Sequence, residues 1–161
     1  MPIEYLKTVP FPGSAKRALA VAQSTLVALN FQITASSDYE LQVTGPGINS
    51  TRENPLKAMT KGSFVVRNAA IEVKAVLGGA ERMIRFLRIF PLMMAIFFMI
   101  VWGVLAFFLP IFRLWWVFAI PLVALSPWLF LTPMIGRSIQ SRTKDAIDSL
   151  VSNMVLLGNA D

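Results

Sequence analysis

Between Ser14 and Leu29 the apolar residues Ala15, Ala18, Leu19, Ala22, Leu26 and Leu29 recur at spacings of three and four. That spacing puts them on one face and predicts a helix, with Ser14 after Gly13 as its N-cap. From there the period drops to two. FQITAS (31–36) alternates through Phe31, Ile33 and Ala35, and YELQVT (39–44) through Tyr39, Leu41 and Val43. With Ser37-Asp38 as the turn, they predict a β-hairpin. SFVVRN (63–68) and AIEVKAVL (70–77) predict a second pair, with Ile71, Val73, Ala75 and Leu77 on one face and Glu72 and Lys74 on the other. An apolar sheet face needs a cover, and the 14–29 helix supplies one. The expected N-terminal domain, residues 1–79, is therefore a helix on a four-stranded antiparallel sheet.

After Gly78-Gly79 the amphipathic pattern gives way to unbroken apolar sequence. Residues 89–112 carry no charge, and after Arg113 residues 114–135 carry none. At about 1.5 Å of rise per residue, each run is long enough for a hydrocarbon core about 30 Å thick. The expectation is a two-helix transmembrane hairpin over 80–136, with spans at about 89–110 and 114–135. Pro110 to Arg113 forms the turn, and Trp115 and Trp116 sit as an aromatic belt. Beyond it Ile139, Ile147, Leu150, Val151, Met154, Val155 and Leu157 return to helical spacing. They predict a C-terminal amphipathic helix over 137–161 with Gly158 as its cap. Its apolar face could continue the second span and cover the N-terminal domain, lie on the membrane surface, or dock to a partner. The fold class expected is an α+β membrane protein.

The second run contains PLVALSPWLFLTP (121–133), three prolines six residues apart with a hydroxyl before the second and third. Each proline frees the carbonyl four residues earlier, at Val117, Val123 and Leu129 for Pro121, Pro127 and Pro133. In lipid such a carbonyl must find a donor. Ser126 and Thr132 are placed to back-bond to Val123 and Leu129, whereas Ile120, before Pro121, has nothing to give. The sequence predicts a bent helix shaped to fit other protein.

Composition removes most enzyme chemistry. The chain of 161 residues is 55% hydrophobic and has neither Cys nor His. Disulfides, thiol nucleophiles and the commonest acid-base group and metal ligand are absent. The apolar runs hold no Asp, Glu, Lys or His, against a proton relay or coupled transporter formed by this chain alone. No enzyme activity, cofactor or metal is expected, and no nucleic-acid partner, because residues 1–81 show no basic run interleaved with aromatics. The start, MPIEYLKTVPFPG, lacks the apolar centre of a signal peptide.

Charge then sets direction. The net +6 hides a segment from Arg82 to Lys144 with seven basic residues and no acidic one. Six of these, Arg82, Arg85, Arg88, Arg137, Arg142 and Lys144, flank the apolar runs, and Arg113 lies between them. The positive-inside rule predicts an integral membrane protein with both termini cytoplasmic, as in a bacterial inner membrane. The same six are candidate contacts for anionic lipid or phosphate. The connection 45–61 has no clear period and is long for a compact domain. Its Asn49, Arg52, Glu53 and Asn54 are candidate binding residues. Asn49-Ser50-Thr51 matches a glycosylation acceptor, but a cytoplasmic loop never meets the transferase. Gly13-Ser14 with Lys16-Arg17 matches neither a P-loop nor a dinucleotide fingerprint.

These features predict a non-enzymatic subunit or accessory protein of a membrane complex, its N-terminal domain held at the bilayer and its partners anionic lipids and other transmembrane subunits or itself. The alternatives are a self-assembling channel or transport component, and a membrane-tethered sensor that binds a ligand through the 45–61 loop.

Overall fold

The computed structural model describes residues 3–47, 53–108 and 115–159. In chain order these form β1 (Glu4–Pro10), α1 (Ala15–Ala28), β2 (Gln32–Ser36), β3 (Glu40–Thr44), a 3-10 turn (Pro55–Ala58), β4 (Lys61–Arg67), β5 (Ala70–Val76), α2 (Gly78–Phe108) and α3 (Trp115–Gly158). They divide into two compact units: residues 1–82 with 139–161, and residues 83–138.

In the first unit the sheet has five antiparallel strands in the order β1-β5-β4-β3-β2. Its inner face is the one the alternation marked: Leu41 and Val43 from β3, Phe64 and Val66 from β4, and Ile71, Val73 and Ala75 from β5 are buried. Helix α1 presents Ala18, Leu19, Ala22 and Leu26 to the same core. Ser14 is its N-cap by backbone conformation, but its side chain makes no capping bond. Past the C-cap at Leu29, Asn30 with a φ of 65° reverses the chain in the conformation that asparagine tolerates best after glycine. Asn68 and Ala69 join β4 to β5 with φ of 51° and 53°, the paired left-handed geometry that a two-residue hairpin needs.

The expected four-stranded sheet is corrected to five. The missed strand, β1, runs antiparallel to β5, with Tyr5 opposite Ala75, Lys7 opposite Val73 and Val9 opposite Ile71. Those cross-strand partners are core residues, so Tyr5, Lys7 and Val9 face inward. Leu6, 68% exposed, faces out. A lysine inside and a leucine outside is the reverse of what alternation looks for.

The expected two-helix transmembrane hairpin with a separate C-terminal amphipathic helix is also overturned. From Trp115 to Gly158 the chain forms one helix of 44 residues. Among the described residues one helix, Gly78–Phe108, is long and apolar enough to cross a membrane. The helix α3 passes through Pro121, Pro127 and Pro133 without interruption, and Ser126 Oγ donates to the Val123 carbonyl at 2.7 Å, the local repair expected for the bond that Pro127 removes. No glycine or proline lies between Arg137 and Leu157 to stop it. The expected turn at Pro110 to Arg113 lies outside the described residues.

The last part of α3 belongs to the first unit and completes its core. Ile147, Leu150, Val151 and Met154 are buried in the cluster formed by the sheet and α1. The two helices meet at their ends, where the Ser14 amide donates to the Gly158 carbonyl at 3.1 Å. A Cβ on Gly158 would lie 2.7 Å from Phe11 Cζ and 3.0 Å from Ala18 Cβ, so glycine is required by the close approach. Of the three settings open to the C-terminal apolar face, it takes the cover of the sheet domain.

Candidate functional site

The second unit, 83–138, contains the longest exposed apolar surface among the described residues. On α2, Leu92, Ile96, Ile100 and Phe107 are exposed, Phe107 by 77%, and on α3 Phe130 is exposed by 79%. Water does not favour such a surface at this length. The inner sides of the two helices meet in antiparallel order. A Cβ on Gly136 would lie 3.5 Å from Ile84, Thr132 Oγ1 donates to the Leu87 carbonyl at 3.4 Å, and the Phe90 and Trp128 rings stand 5.7 Å apart.

The Thr132 contact has a local cause. Helix α2 contains Pro91, which lacks the N–H that would bond to the carbonyl four residues before it, at Leu87. Leu87 and Thr132 are both buried, so the freed oxygen has little access to solvent. The Thr132 hydroxyl, expected to back-bond to Leu129, instead reaches across to α2. The four-residue rule applied to Pro121, Pro127 and Pro133 would have identified Leu87 from Pro91, but the partner that meets its carbonyl comes from packing.

Three of the candidate cations, Arg85, Arg88 and Arg137, fall at the charged end of this surface. Arg82, Arg85 and Arg88 lie at successive three-residue steps on α2, and all are exposed. Arg137, also exposed, follows Gly136 on α3. Because Gly136 approaches Ile84, Arg137 and Arg85 each adjoin the same helix contact. The six candidates divide between units: Arg85, Arg88 and Arg137 in 83–138, and Arg82, Arg142 and Lys144 in the other. Exposed Ile89, Leu92 and Met134 follow directly on the apolar side.

The loop candidates are less concentrated than expected. Asn49 and Arg52 lie outside the described residues. Glu53 pairs with Lys57 at 2.7 Å, and Asn54 Oδ1 accepts from the Leu56 amide at 3.0 Å, capping the 3-10 turn. That turn inserts Leu56, Ala58 and Met59 into the core, so this part of the connection closes the sheet. Of the helix-bend candidates, Pro121 lies within α3 and Pro127 and Pro133 are exposed there.

A polar cluster that alternation could not reveal joins β1 to α3. Tyr5 Oη donates to Asp148, and Lys7 Nζ lies 2.8 Å from Asp148 Oδ1. Burial, the hydrogen bond to Asp148 and the charges of Asp148 and Asp145 push the Tyr5 phenol up to about 12. Burial also pushes the Asp148 carboxyl up, but the hydrogen bonds from Lys7 and Tyr5 and the Lys7 charge outweigh it and leave the group below its ordinary range. The arrangement is a clamp between elements far apart in sequence. A shallow depression on the outer face of the sheet, ≈ 330 Å³, is lined by Lys61, Lys74, Ser63, Gln42 and Thr44. Lys74 there also pairs with Glu4 at 3.6 Å.

No family model matches the chain, and neither the curated proteins nor the solved structures yield a match.

Proposed function

We propose that the chain is a non-enzymatic integral membrane subunit or accessory protein that holds a small α+β domain at a bilayer surface. The observation that carries this reading is the exposed, uncharged surface of α2 from Ile89 to Phe108. At about 1.5 Å per residue it matches a hydrocarbon core about 30 Å thick. The sheet domain is tethered without a linker, since β5 ends at Val76 and α2 begins at Gly78. Residues 1–82 and 139–161 share one compact unit, which supports placing both on one side of the membrane. The excess of Lys and Arg beside the apolar segment assigns that side to the cytoplasm. Partners are anionic lipids and other transmembrane proteins that cover part of the apolar surface.

The absence of Cys and His makes single introduced cysteines a clean test. Ser37→Cys and Ser152→Cys, both at exposed positions, should react from the cytoplasmic side, and Phe108→Cys from the opposite side. The protein should also resist alkaline carbonate extraction. Release by carbonate, or labelling of Ser37→Cys and Ser152→Cys from opposite faces, would overturn the reading. Foreign subunits retained in mild detergent would support the accessory role, and a homo-oligomer the channel alternative.

A further inference from the structure

We propose that Arg85, Arg88 and Arg137 form a binding surface for the phosphate of anionic phospholipid head groups. This deepens the membrane reading and rests on it. Three observations converge. The first is chemical: of the seven cations between Arg82 and Lys144 six are arginine, whereas the eight in residues 1–81 comprise five lysines and three arginines. Membrane orientation counts lysine and arginine alike, so topology alone does not ask for arginine. Phosphate does, because a planar guanidinium offers paired N–H donors to two oxygens, while an ammonium acts as a point charge.

The second observation is placement. Arg85 and Arg88 come from α2 and Arg137 from α3, and the approach of Gly136 to Ile84 sets Arg85 and Arg137 beside one helix contact. Two elements therefore contribute to one surface, which orientation by charge would not require. The third is the surroundings. Exposed Ile89, Leu92 and Met134 adjoin the arginines. A cationic band beside an exposed apolar one complements a phospholipid, with its phosphate at the band and its acyl chains along the apolar side chains.

The full-length chain would be reconstituted in nanodiscs of phosphatidylcholine alone and with phosphatidylglycerol added, and retained lipid measured after transfer to mild detergent. Wild type should retain phosphatidylglycerol selectively. The triple variant Arg85→Lys, Arg88→Lys, Arg137→Lys keeps every charge, and should lose about tenfold in apparent affinity as the forked contacts go. Its resistance to carbonate extraction and its circular dichroism should stay unchanged. Equal retention of both lipids by wild type, or equal selectivity in the lysine variant, would overturn the proposal while the membrane reading stands. Extraction of wild type by carbonate would overturn the membrane reading itself. Displacement of the bound lipid by millimolar inorganic phosphate would reassign the surface to free phosphate and refute the lipid assignment.

Discussion

If Thr132 serves the carbonyl that Pro91 exposes, the two residues must be energetically coupled even though they lie on different helices. Replacing Thr132 with Val keeps the shape and removes the hydroxyl, leaving the Leu87 oxygen buried without its 3.4 Å donor. A buried acceptor so orphaned costs about 1–3 kcal/mol. Hydrogen bonds between apolar-embedded helices average nearer 0.6 kcal/mol and reach roughly 1.7, so about 1 kcal/mol is expected for this long bond. In a Pro91→Ala background the restored amide bonds to Leu87 within α2, and the same Thr132→Val change should cost almost nothing. The cycle can be read by tryptophan fluorescence during denaturation in detergent, because all four tryptophans, at 102, 115, 116 and 128, lie within residues 83–138. A coupling below about 0.3 kcal/mol, the level at which independent sites add, would refute the repair.

The core role of the α3 end predicts that Ile147→Ala, at a fully buried position, costs about 2–5 kcal/mol and accelerates amide exchange in β4 and β5. Leu157→Ala on the same helix, 56% exposed, should cost under about 0.5 kcal/mol, and equal effects would show that this end does not cover the sheet. The clamp predicts pH dependence at both extremes. The lowered Asp148 carboxyl contributes stability that is full above its ordinary value of 3.8 and lost as pH falls through the depressed one. The raised Tyr5 phenol contributes stability that is full below 10.0 and lost as pH rises toward about 12. Thermal melts should show Asp148→Asn flattening the acid loss and Tyr5→Phe the alkaline one, and unchanged profiles in both would refute the clamp. Ala69→Gly, at φ 53°, relieves about 1 kcal/mol of left-handed strain against a smaller glycine entropy cost. It should raise the melting temperature slightly, and a fall would count against the turn geometry.

The parts of the fold legible in the sequence are those whose partners are chemically redundant. Leu41, Val43, Ile71 and Val73 need only some apolar cover, so alternation placed them on the inner face whatever supplied that cover. The same holds for Ala18, Leu19, Ala22 and Leu26 on α1. What alternation missed depends on a single distant group. Lys7 can occupy an inward register because Asp148, 141 positions away, meets its ammonium at 2.8 Å; without that carboxylate β1 reads as polar leader sequence. Likewise the 45–61 connection read as a long aperiodic segment with Glu53 and Asn54 as binding candidates, yet their bonds hold the turn that places Leu56 and Met59 in the core.

Proline taught the opposite lesson, since its local chemistry was readable and its consequence was not. Offset counting identified Val123 as needing a donor and Ser126 as able to give one, and the two are bonded at 2.7 Å. The expectation placed the main bend at the unrepaired Pro121 and a boundary after the apolar run, where the structure instead carries one helix on to Gly158. Repair lowers the cost of continuing a helix as much as it permits a kink, and no stop signal follows at Arg137. Thr132 could be spent on the cross-helix bond to Leu87 because Gly136, one turn on, has no side chain to hold Ile84 away. The proline on α2, the hydroxyl on α3 and the small residue beside it therefore act as one device. Its logic follows from the sequence once the helix pairing is known, and the pairing is what the sequence could not supply.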